Sequence, residues 1–188
     1  MHPGDTVSNL CIAVTGLPGS GKTTIGREVA SRLNLAFLDK DIYLERLFDE
    51  RGVGDSNWRQ NLSRESDLIF QHDAENESAV VLVSHWRPDH GTSKSGTPTD
   101  WLAKKFPRII ELYCTCPTEA AAERFLNRER HPGHLDDIRK PDEITEWLIE
   151  YEKHLPLSLG TLAPVETCVE EPLDILIARI SEMVQDHA

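Results

Sequence analysis

Residues 10–33 read LCIAVTGLPGSGKTTIGREVASRL, and this segment indicates the fold class. Its first six residues, Leu10 to Thr15, form a short apolar run, which is typical of a strand buried on both faces of a parallel sheet. A glycine-rich turn follows. Beyond the turn, apolar side chains recur every three to four residues, at Ile25, Val29, Ala30 and Leu33. Because that spacing places them on one face of a helix, the chain is predicted to open with a strand, a turn and an amphipathic helix.

The turn at residues 16–23 matches the pattern G-x-x-x-x-G-K-[ST] without departure. Glycines let successive backbone N–H groups point inward, since no Cβ blocks the approach of phosphates. The start of the next helix adds a positive dipole end, Lys22 brings a charge for the β- and γ-phosphates, and the Thr23 hydroxyl suits Mg²⁺. An accidental match is disfavoured, because the motif lies between a strand and a helix. The residues predicted to bind ATP are Gly16, Pro18, Gly19, Ser20, Gly21, Lys22, Thr23 and Thr24, with Lys22 also catalytic.

The rest of the chain continues to alternate strands with helices. Further strands are predicted at 35–38, 79–83, 108–114 and 165–169. Helices are predicted at about 41–51, 58–74, 100–105, from 117–118 into the basic segment 124–134, at 142–155 and from 173 to the end. Five strands separated by helices predict an α/β fold with three layers, a parallel sheet covered on both faces. Such sheets bind ligands at the carboxyl ends of their strands, so the loops after the first three strands are the expected site.

Composition limits the range of partners. The chain has 188 residues, and 20 Lys and Arg against 32 Asp and Glu give a net charge of −12. That charge disfavours broad nucleic-acid binding but permits one local cationic pocket. No run approaches the roughly 20 apolar residues that cross a bilayer, and the first ten residues lack the features of a secretory signal. The length fits one domain, 1–188. Four cysteines without a disulfide-dense pattern are typical of the reducing cytoplasm, where we expect this protein. We expect it to have no nucleic-acid or membrane partners.

The motif near the start of a short chain, followed by five alternating strands, resembles the small P-loop kinases. That group includes shikimate kinase, gluconate kinase and chloramphenicol phosphotransferase, and its fold is similar to that of adenylate kinase. The resemblance covers nearly the whole chain by layout and is most specific at 16–24, with weaker matches at 37–41 and 124–134. It implies a P-loop NTPase fold with strand order 2-3-1-4-5, a small lid at about 128–141, and ATP and Mg²⁺ as cofactors.

Two carboxylates follow the second predicted strand, in the sequence Phe37-Leu38-Asp39-Lys40-Asp41. This segment is similar to the F-x-D-x-D pattern of shikimate kinases. The resemblance implies that Asp39 serves Mg²⁺ together with Thr23, and that Asp41 orients or deprotonates the attacking hydroxyl of the acceptor. The alternative is that one of the two simply caps the next helix. Arg59 falls where the shikimate-kinase pattern has an arginine that contacts the acceptor; the alternative is a surface arginine.

The third predicted strand ends without a carboxylate before Asp89, a departure from many P-loop NTPases. Shikimate kinases carry glycines there, so the identity of the acceptor does not transfer from them. His85, Trp86 and Arg87 are instead predicted to form walls of the acceptor pocket, because a tryptophan beside an arginine suits a ring or an anionic group. The alternative is that Trp86 packs into the core and Arg87 is solvated.

A basic cluster lies between residues 124 and 134 of an otherwise acidic chain. It contains Arg124, Arg128, Arg130, His131 and His134. In the small kinases a lid with arginines lies at this place, so the resemblance implies that Arg128 and Arg124 neutralise charge on the migrating phosphoryl group. The alternative is a solvated helix end whose arginines pair with nearby glutamates.

These features together predict an ATP- and Mg²⁺-dependent phosphotransferase that moves the γ-phosphate to a hydroxyl of a small-molecule acceptor. One alternative is a nucleotide-binding ATPase or regulatory P-loop protein without kinase activity. A polynucleotide 5′-kinase is a further alternative, which the charge of −12 and the lack of a basic, aromatic-lined groove disfavour. The sequence leaves open the identity of the acceptor, the preference for ATP or GTP, and whether the protein is a monomer or a homodimer.

Overall fold

The computed structural model describes residues 9–88, 95–136, 140–169 and 172–185. Within these ranges, strands and helices alternate along the chain. The strands are β1 (Leu10–Gly16), β2 (Ala36–Asp39), β3 (Ala79–Val83), β4 (Arg108–Thr115) and β5 (Thr161–Glu166). The helices are α1 (Lys22–Leu33), α2 (Lys40–Arg51), α3 (Ser56–Glu75), α4 (Leu102–Lys105), α5 (Thr118–Asn127), α6 (Pro141–Glu152) and α7 (Leu173–Gln185). A short 3-10 turn, Pro132–His134, lies between α5 and α6.

The five strands form one parallel sheet in the order β2-β3-β1-β4-β5, which confirms the predicted fold class. All residues of the central strand β1 are buried, because helices cover both faces of the sheet. Leu10, Ile12 and Val14 face a core that includes residues of α1 and α7. Cys11 and Ala13 face the opposite core, which includes Phe70 of α3 and Trp101. This alternation is the period of two expected of a strand with apolar layers on both sides.

The last strand differs from its prediction. β5 begins at Thr161 and ends at Glu166, so it overlaps the predicted strand at 165–169 only at residues 165 and 166. β5 is an edge strand in which only Ala163 and Val165 are buried, so it has no continuous apolar run to mark it. It also contains Pro164, which an edge strand tolerates because one side of the strand needs no backbone donor.

Helix α5 also differs from its prediction. It ends at Asn127, and Arg128 already has an extended backbone, so the helix does not continue into the basic segment. Thr118 lies inside the helix, whose N-cap is Pro117. The Thr118 hydroxyl donates a hydrogen bond to Glu152 Oε2 at 2.7 Å, which joins α5 to α6. Arg128 therefore lies in the segment that leaves α5, whereas Arg124 lies within the helix.

The predicted lid at about 128–141 includes residues 137–139, which lie outside the described residues. Its described part contains the 3-10 turn and the start of α6. A search of the described helices for a segment long and apolar enough to span a membrane finds none.

Candidate active site

A cavity of about 400 Å³ lies at the carboxyl ends of β1, β2 and β3. This is the edge at which parallel sheets place their ligands. The cavity brings together most of the residues that the sequence predicted. They are Pro18, Gly19, Gly21, Lys22, Thr23, Thr24, Asp39, Asp41, Arg59, His85, Arg124 and Arg128. A second cavity of about 350 Å³ adjoins it and shares Gly21, Thr24 and Arg124.

The loop from Gly16 to Gly21 has a backbone that few residues other than glycine adopt. Gly16, Gly19 and Gly21 have φ values of 133°, 88° and 85°. A Cβ on Gly16 would stand 2.3 Å from the carbonyl oxygen of Cys114, and one on Gly19 would stand 2.2 Å from that of Ala121. The glycines are therefore required by close backbone approach as well as by conformation.

The loop leaves polar groups in place for an anion. Gly21 is the N-cap of α1, and because it has no side chain it supplies no acceptor to the first N–H groups of the helix. The hydroxyl of Ser20 is buried and has no hydrogen-bond partner among the described residues. Gly16 and Ser20 are buried and are not among the residues that line the cavity, whereas Gly19 and Gly21 line it. The loop therefore fits a nucleotide phosphate group.

Lys22 is held by its own loop. Its Nζ donates hydrogen bonds to the carbonyl oxygens of Gly16 at 2.9 Å and Leu17 at 2.7 Å. Burial lowers the pKa of Lys22 to about 8, and the nearby charges of Asp41 and Asp39 only partly oppose that effect. A phosphate anion beside this ammonium would stabilise its charged form.

Thr23 and Asp39 form a hydrogen bond at the N-terminal end of α1. The Thr23 hydroxyl donates to Asp39 Oδ2 at 2.9 Å, and Asp39 Oδ1 accepts from the backbone N–H of Asp41 at 3.1 Å. Asp39 is therefore the N-cap of α2, and the same carboxylate faces the hydroxyl predicted to bind metal. Burial and the charge of Asp41 raise the pKa of Asp39.

These two oxygen ligands fit Mg²⁺, which prefers oxygen and is commonly bound by one or two protein groups together with substrate phosphates. Among the residues that the structure describes, no group of three or more His, Cys, Asp or Glu side chains could hold a metal ion without such help. A metal at this place would therefore depend on the phosphates of a nucleotide.

Asp41 forms an ion pair with Arg130 across the cavity. Arg130 also contacts Asp136, with 3.0 Å between Nη1 and Oδ2. Burial raises the pKa of Asp41, but the charges of Arg130 and Lys40 and the hydrogen bond from Arg130 outweigh it and hold the pKa at about 2. Asp41 is therefore ionised at neutral pH. Sequence reasoning placed Arg130 in the basic cluster but did not assign it to the site.

Arg128 and Arg124 also line the cavity. The Arg128 guanidinium lies 4.2 Å from the centre of the Phe125 ring and 3.6 Å from Asp136. Burial and the neighbouring Arg130 charge lower the pKa of Arg128. Arg124 Nη2 donates to Cys168 Sγ at 3.3 Å, and Arg124 lines both cavities. Both arginines therefore line the same cavity as the glycine-rich loop.

The residues after β3 divide between the cavity and the core. His85 lines the cavity, and its ring lies 4.5 Å from that of Tyr151 and 5.4 Å from that of Trp147. The prediction that Trp86 forms a wall of the acceptor pocket is wrong. Its side chain is fully buried, and its indole N–H donates to the carbonyl oxygen of Val14 at 2.9 Å. Two successive residues after a strand point to opposite faces, so His85 and Trp86 do not face the same cavity.

The prediction for Arg87 also fails. Its Nη2 donates to the carbonyl oxygen of Gly96 at 2.9 Å, and it is not among the described residues that line the cavity. Arg59 does line the cavity, and its contact with an acceptor stays a prediction.

Sequence reasoning missed a set of hydrogen-bonded polar side chains at the cavity. Lys40 Nζ donates to Ser63 Oγ at 2.7 Å and lies 3.5 Å from Asp67 Oδ1. The hydroxyl of Thr97 donates to the same Asp67 oxygen at 2.7 Å and shares a 2.7 Å hydrogen bond with Ser84. Burial lowers the pKa of Lys40, and the charges of Asp67 and Asp41 oppose that effect. No local pattern joins these residues, because they come from distant parts of the chain.

What the fold and the site define is a P-loop nucleotide-binding protein. Residues 12–145 match a family model described as an AAA domain, and the chain belongs to that family. The chain is similar to a shikimate kinase of Ruegeria pomeroyi, with 25% identity over 176 residues that cover 90% of this chain and 84% of the relative. It is also similar to a cytidylate kinase of Ignicoccus hospitalis, with 23% identity over 144 residues, 73% of this chain and 76% of the relative.

Among solved structures, the chain is similar to a protein from Chloroflexus aurantiacus for which a kinase activity has been suggested. The two are 28% identical with a TM-score of 0.78, and the match covers 95% of this chain and all of that one (100%). These comparisons confirm the resemblance to small P-loop kinases. Because one relative is named for a nucleotide and the other for shikimate, the comparisons leave the acceptor of this chain open.

Proposed function

We propose that this protein is an ATP- and Mg²⁺-dependent phosphotransferase whose acceptor is a hydroxyl group of a small molecule. The observation that carries the proposal is that one cavity joins the phosphate-binding loop, the Thr23–Asp39 pair and the Asp41–Arg130 ion pair. The loop can bind a nucleotide at one end of the cavity, and an ionised carboxylate stands ready for an acceptor at the other.

The nucleotide half of the proposal rests on the loop from Gly16 to Thr24. Its backbone N–H groups and Lys22 would bind the phosphates, and the second cavity, beside Thr167, would take the base. Thr23 and Asp39 are the residues that would hold Mg²⁺, which when bound neutralises charge on the β- and γ-phosphates. Lys22 would then exchange carbonyl partners for phosphate oxygens.

On the acceptor side, the low pKa of Asp41 favours the orienting role over that of a base. A carboxylate with a pKa of about 2 is a weak base. It accepts a hydrogen bond from the acceptor hydroxyl and orients its oxygen toward the γ-phosphate, rather than removing the proton before transfer. A loose transition state needs positioning and charge stabilisation more than a strong base.

Arg128 and Arg124 would stabilise the charge on the migrating group. Each reaches the cavity from the segment after β4. Their guanidinium groups are positive charges already in place, so they can stabilise the negative charge of the transition state without reorganisation of water. We propose that the lid at about 128–141 closes over the bound substrates and excludes water, which would otherwise take the phosphoryl group.

The proposal is tested by incubating the protein with ATP, Mg²⁺ and a panel of hydroxy compounds, with CMP and AMP included as phosphate acceptors. Products are followed by ³¹P NMR. We expect a phosphorylated hydroxyl product, and we expect Lys22→Ala and Asp41→Asn each to lower its rate by about a hundredfold or more. Lys104→Ala, on the exposed face of α4, is the matched control and should leave the rate unchanged.

Three outcomes contradict the proposal. Steady release of ADP and phosphate with every acceptor would indicate an ATPase. Tight ATP binding without turnover would indicate a regulatory protein. A product formed only from CMP or AMP would replace the hydroxyl with a phosphate as the acceptor group. The cytoplasmic location, the absence of nucleic-acid partners and the choice between monomer and homodimer stay predictions.

A further inference from the structure

Lys40 combines burial with access to the cavity. It is the first residue of α2, between Asp39 and Asp41, and only 7% of its surface is exposed. Its side chain nevertheless lines the cavity, beside Ser63 and Arg59. An ammonium group in such a place is costly unless its charge is paired.

The partners of Lys40 within the protein are weak. Its closest contact, at 2.7 Å, is the hydroxyl of Ser63, which carries no charge. The carboxylate of Asp67 stands 3.5 Å away, beyond the usual length of a charge-assisted hydrogen bond. The oxygen of Asp67 that faces Lys40 also accepts the shorter 2.7 Å hydrogen bond from Thr97. The negative charge of Asp67 is therefore shared between two donors.

Arg130, on the same cavity, is the useful comparison. It stands between two carboxylates, Asp41 and Asp136, and hydrogen bonds to both. The charge of Arg130 is thus balanced inside the protein. Two carboxylates act on Lys40: Asp67, at 3.5 Å, and Asp41, which already forms an ion pair with Arg130. The charge of Lys40 is therefore less completely balanced than that of Arg130, and its open side is the cavity.

We propose that Lys40 binds an anionic group of the acceptor, a carboxylate or a phosphate, and so selects hydroxy compounds that carry one. This inference rests on the proposed function, because it places the acceptor hydroxyl at Asp41. The acceptor would then present its anionic group toward Lys40 and Ser63, and Arg59 lines the same part of the cavity. A neutral analogue would leave the buried ammonium without that partner, which is how a polar site rejects molecules that lack the group it reads.

The test measures binding, so it needs no turnover. The protein is saturated with Mg²⁺ and a non-hydrolysable ATP analogue, which occupies the phosphate loop, and is then titrated by calorimetry at constant ionic strength. The probes are shikimate against methyl shikimate, D-gluconate against D-sorbitol, and inorganic phosphate. We expect at least one acid to bind about tenfold or more tightly than its neutral partner, the ratio that a charge-assisted hydrogen bond supplies. The carboxylates and phosphate distinguish the two kinds of anionic group.

Variants then assign the preference to Lys40. Lys40→Met should abolish the difference between acid and neutral partner, and Lys40→Gln, which can still donate to Ser63, should do the same. Lys104→Met, an exposed lysine on α4, should keep the difference. The unfolding midpoint and the affinity for the ATP analogue show that each variant is folded.

Asp67→Asn gives a result of opposite sign. The amide can still accept from Thr97, but it removes the negative charge that partly balances Lys40. Anion affinity should therefore rise in this variant, by about threefold or more, whereas a purely structural role for the pair would lower it.

The inference is overturned if neutral partners bind as tightly as acids, if the Lys40 variants keep the preference, or if none of the anions binds. Its failure is distinct from that of the proposed function. Anion binding that depends on Lys40 without any phosphorylated product would contradict the proposed function alone. Phosphorylation of a neutral alcohol with an unchanged KM in Lys40→Met would contradict this inference alone.

Discussion

His134 is a buried histidine that the structure holds neutral. Its Nε2 lies 2.9 Å from Glu45 Oε1, and its Nδ1 is buried without a hydrogen-bond partner among the described residues. The proton therefore belongs on Nε2, which donates to Glu45. Burial and the charge of Arg130 lower the pKa of His134 to about 3, although Asp41 and Asp136 act in the other direction.

This histidine should make stability depend on pH. In the unfolded chain its pKa returns to about 6.5. Because the folded-state pKa is depressed, its contribution is complete above pH 6.5 and is lost as the pH falls toward 3, since only the unfolded chain takes up the proton. Between pH 7.5 and pH 5 we expect the wild type to lose about 2 kcal/mol more unfolding free energy than His134→Gln. Urea unfolding of both proteins at the two pH values measures this, and parallel losses would contradict it.

At the residue scale, the residues that sequence reasoning placed at the cavity are mostly those of short motifs. The loop residues, Asp39 and Asp41 lie within short motifs, so their spacing alone brings them to one edge of the sheet. Trp86 failed because its direction depends on which face of the sheet the strand presents at its end. Lys40 was missed because its partners, Ser63 and Thr97, are far away in sequence and only the folded chain brings them together.

At the scale of elements, one buried carboxylate joins β4 to the segment that leads into β5. Glu111 is fully buried and accepts three hydrogen bonds. The donors are the Thr15 hydroxyl at 2.8 Å and the backbone N–H groups of Leu157 at 2.7 Å and Leu159 at 3.0 Å. The carboxylate therefore fixes the chain between α6 and β5 to the centre of the sheet.

Glu111→Gln should be strongly destabilising despite its nearly equal size. Its amide nitrogen would face a donor, which leaves at least one buried N–H group without an acceptor. We expect a loss of about 2–3 kcal/mol in unfolding free energy and faster hydrogen exchange at the amides of Leu157 and Leu159. Glu182→Gln, at an exposed position of α7, should change stability by less than about 0.5 kcal/mol. Equal stability of the two variants would show that Glu111 does not hold this segment.

The accuracy of the predicted elements follows their burial. The run Ala79–Val83 is apolar throughout, and β3 has those same bounds. β5 was displaced because Thr161–Glu166 buries only two small or medium side chains, around a proline. The end of α5 was missed because Arg128 is compatible with a helix in sequence, and it leaves the helix where its side chain packs on Phe125 and approaches Asp136.

At the scale of the whole molecule, the sheet should unfold as a unit. Both faces of β1 belong to extensive cores, so neither face can be lost without exposing the central strand. We expect one cooperative urea transition, with tryptophan fluorescence and far-UV circular dichroism giving the same midpoint. Trp86 and Trp101 report on one core directly. A fluorescence midpoint clearly below that of circular dichroism would show that part of the chain unfolds separately, against the predicted single domain.

The order of the strands is the largest feature that could be predicted from the sequence. The prediction came from the resemblance to small P-loop kinases, and not from the periodicity of apolar residues. Apolar runs locate strands but do not say which of them are neighbours, because all buried strands of a parallel sheet have similar apolar sequences. The match between the stated order and the observed sheet shows that the motif at residues 16–23 carried information about the arrangement of the entire sheet.

The contacts of Lys22 change what its removal would reveal. Its ammonium group donates hydrogen bonds to the carbonyls of Gly16 and Leu17, and so stabilises the turn before any ligand binds. Shortening that side chain would slacken the turn as well as take away a positive charge. A lower nucleotide affinity in such a variant would therefore combine the loss of these hydrogen bonds with the loss of the charge. Only a neutral replacement that still donates to the two carbonyls could separate the two effects.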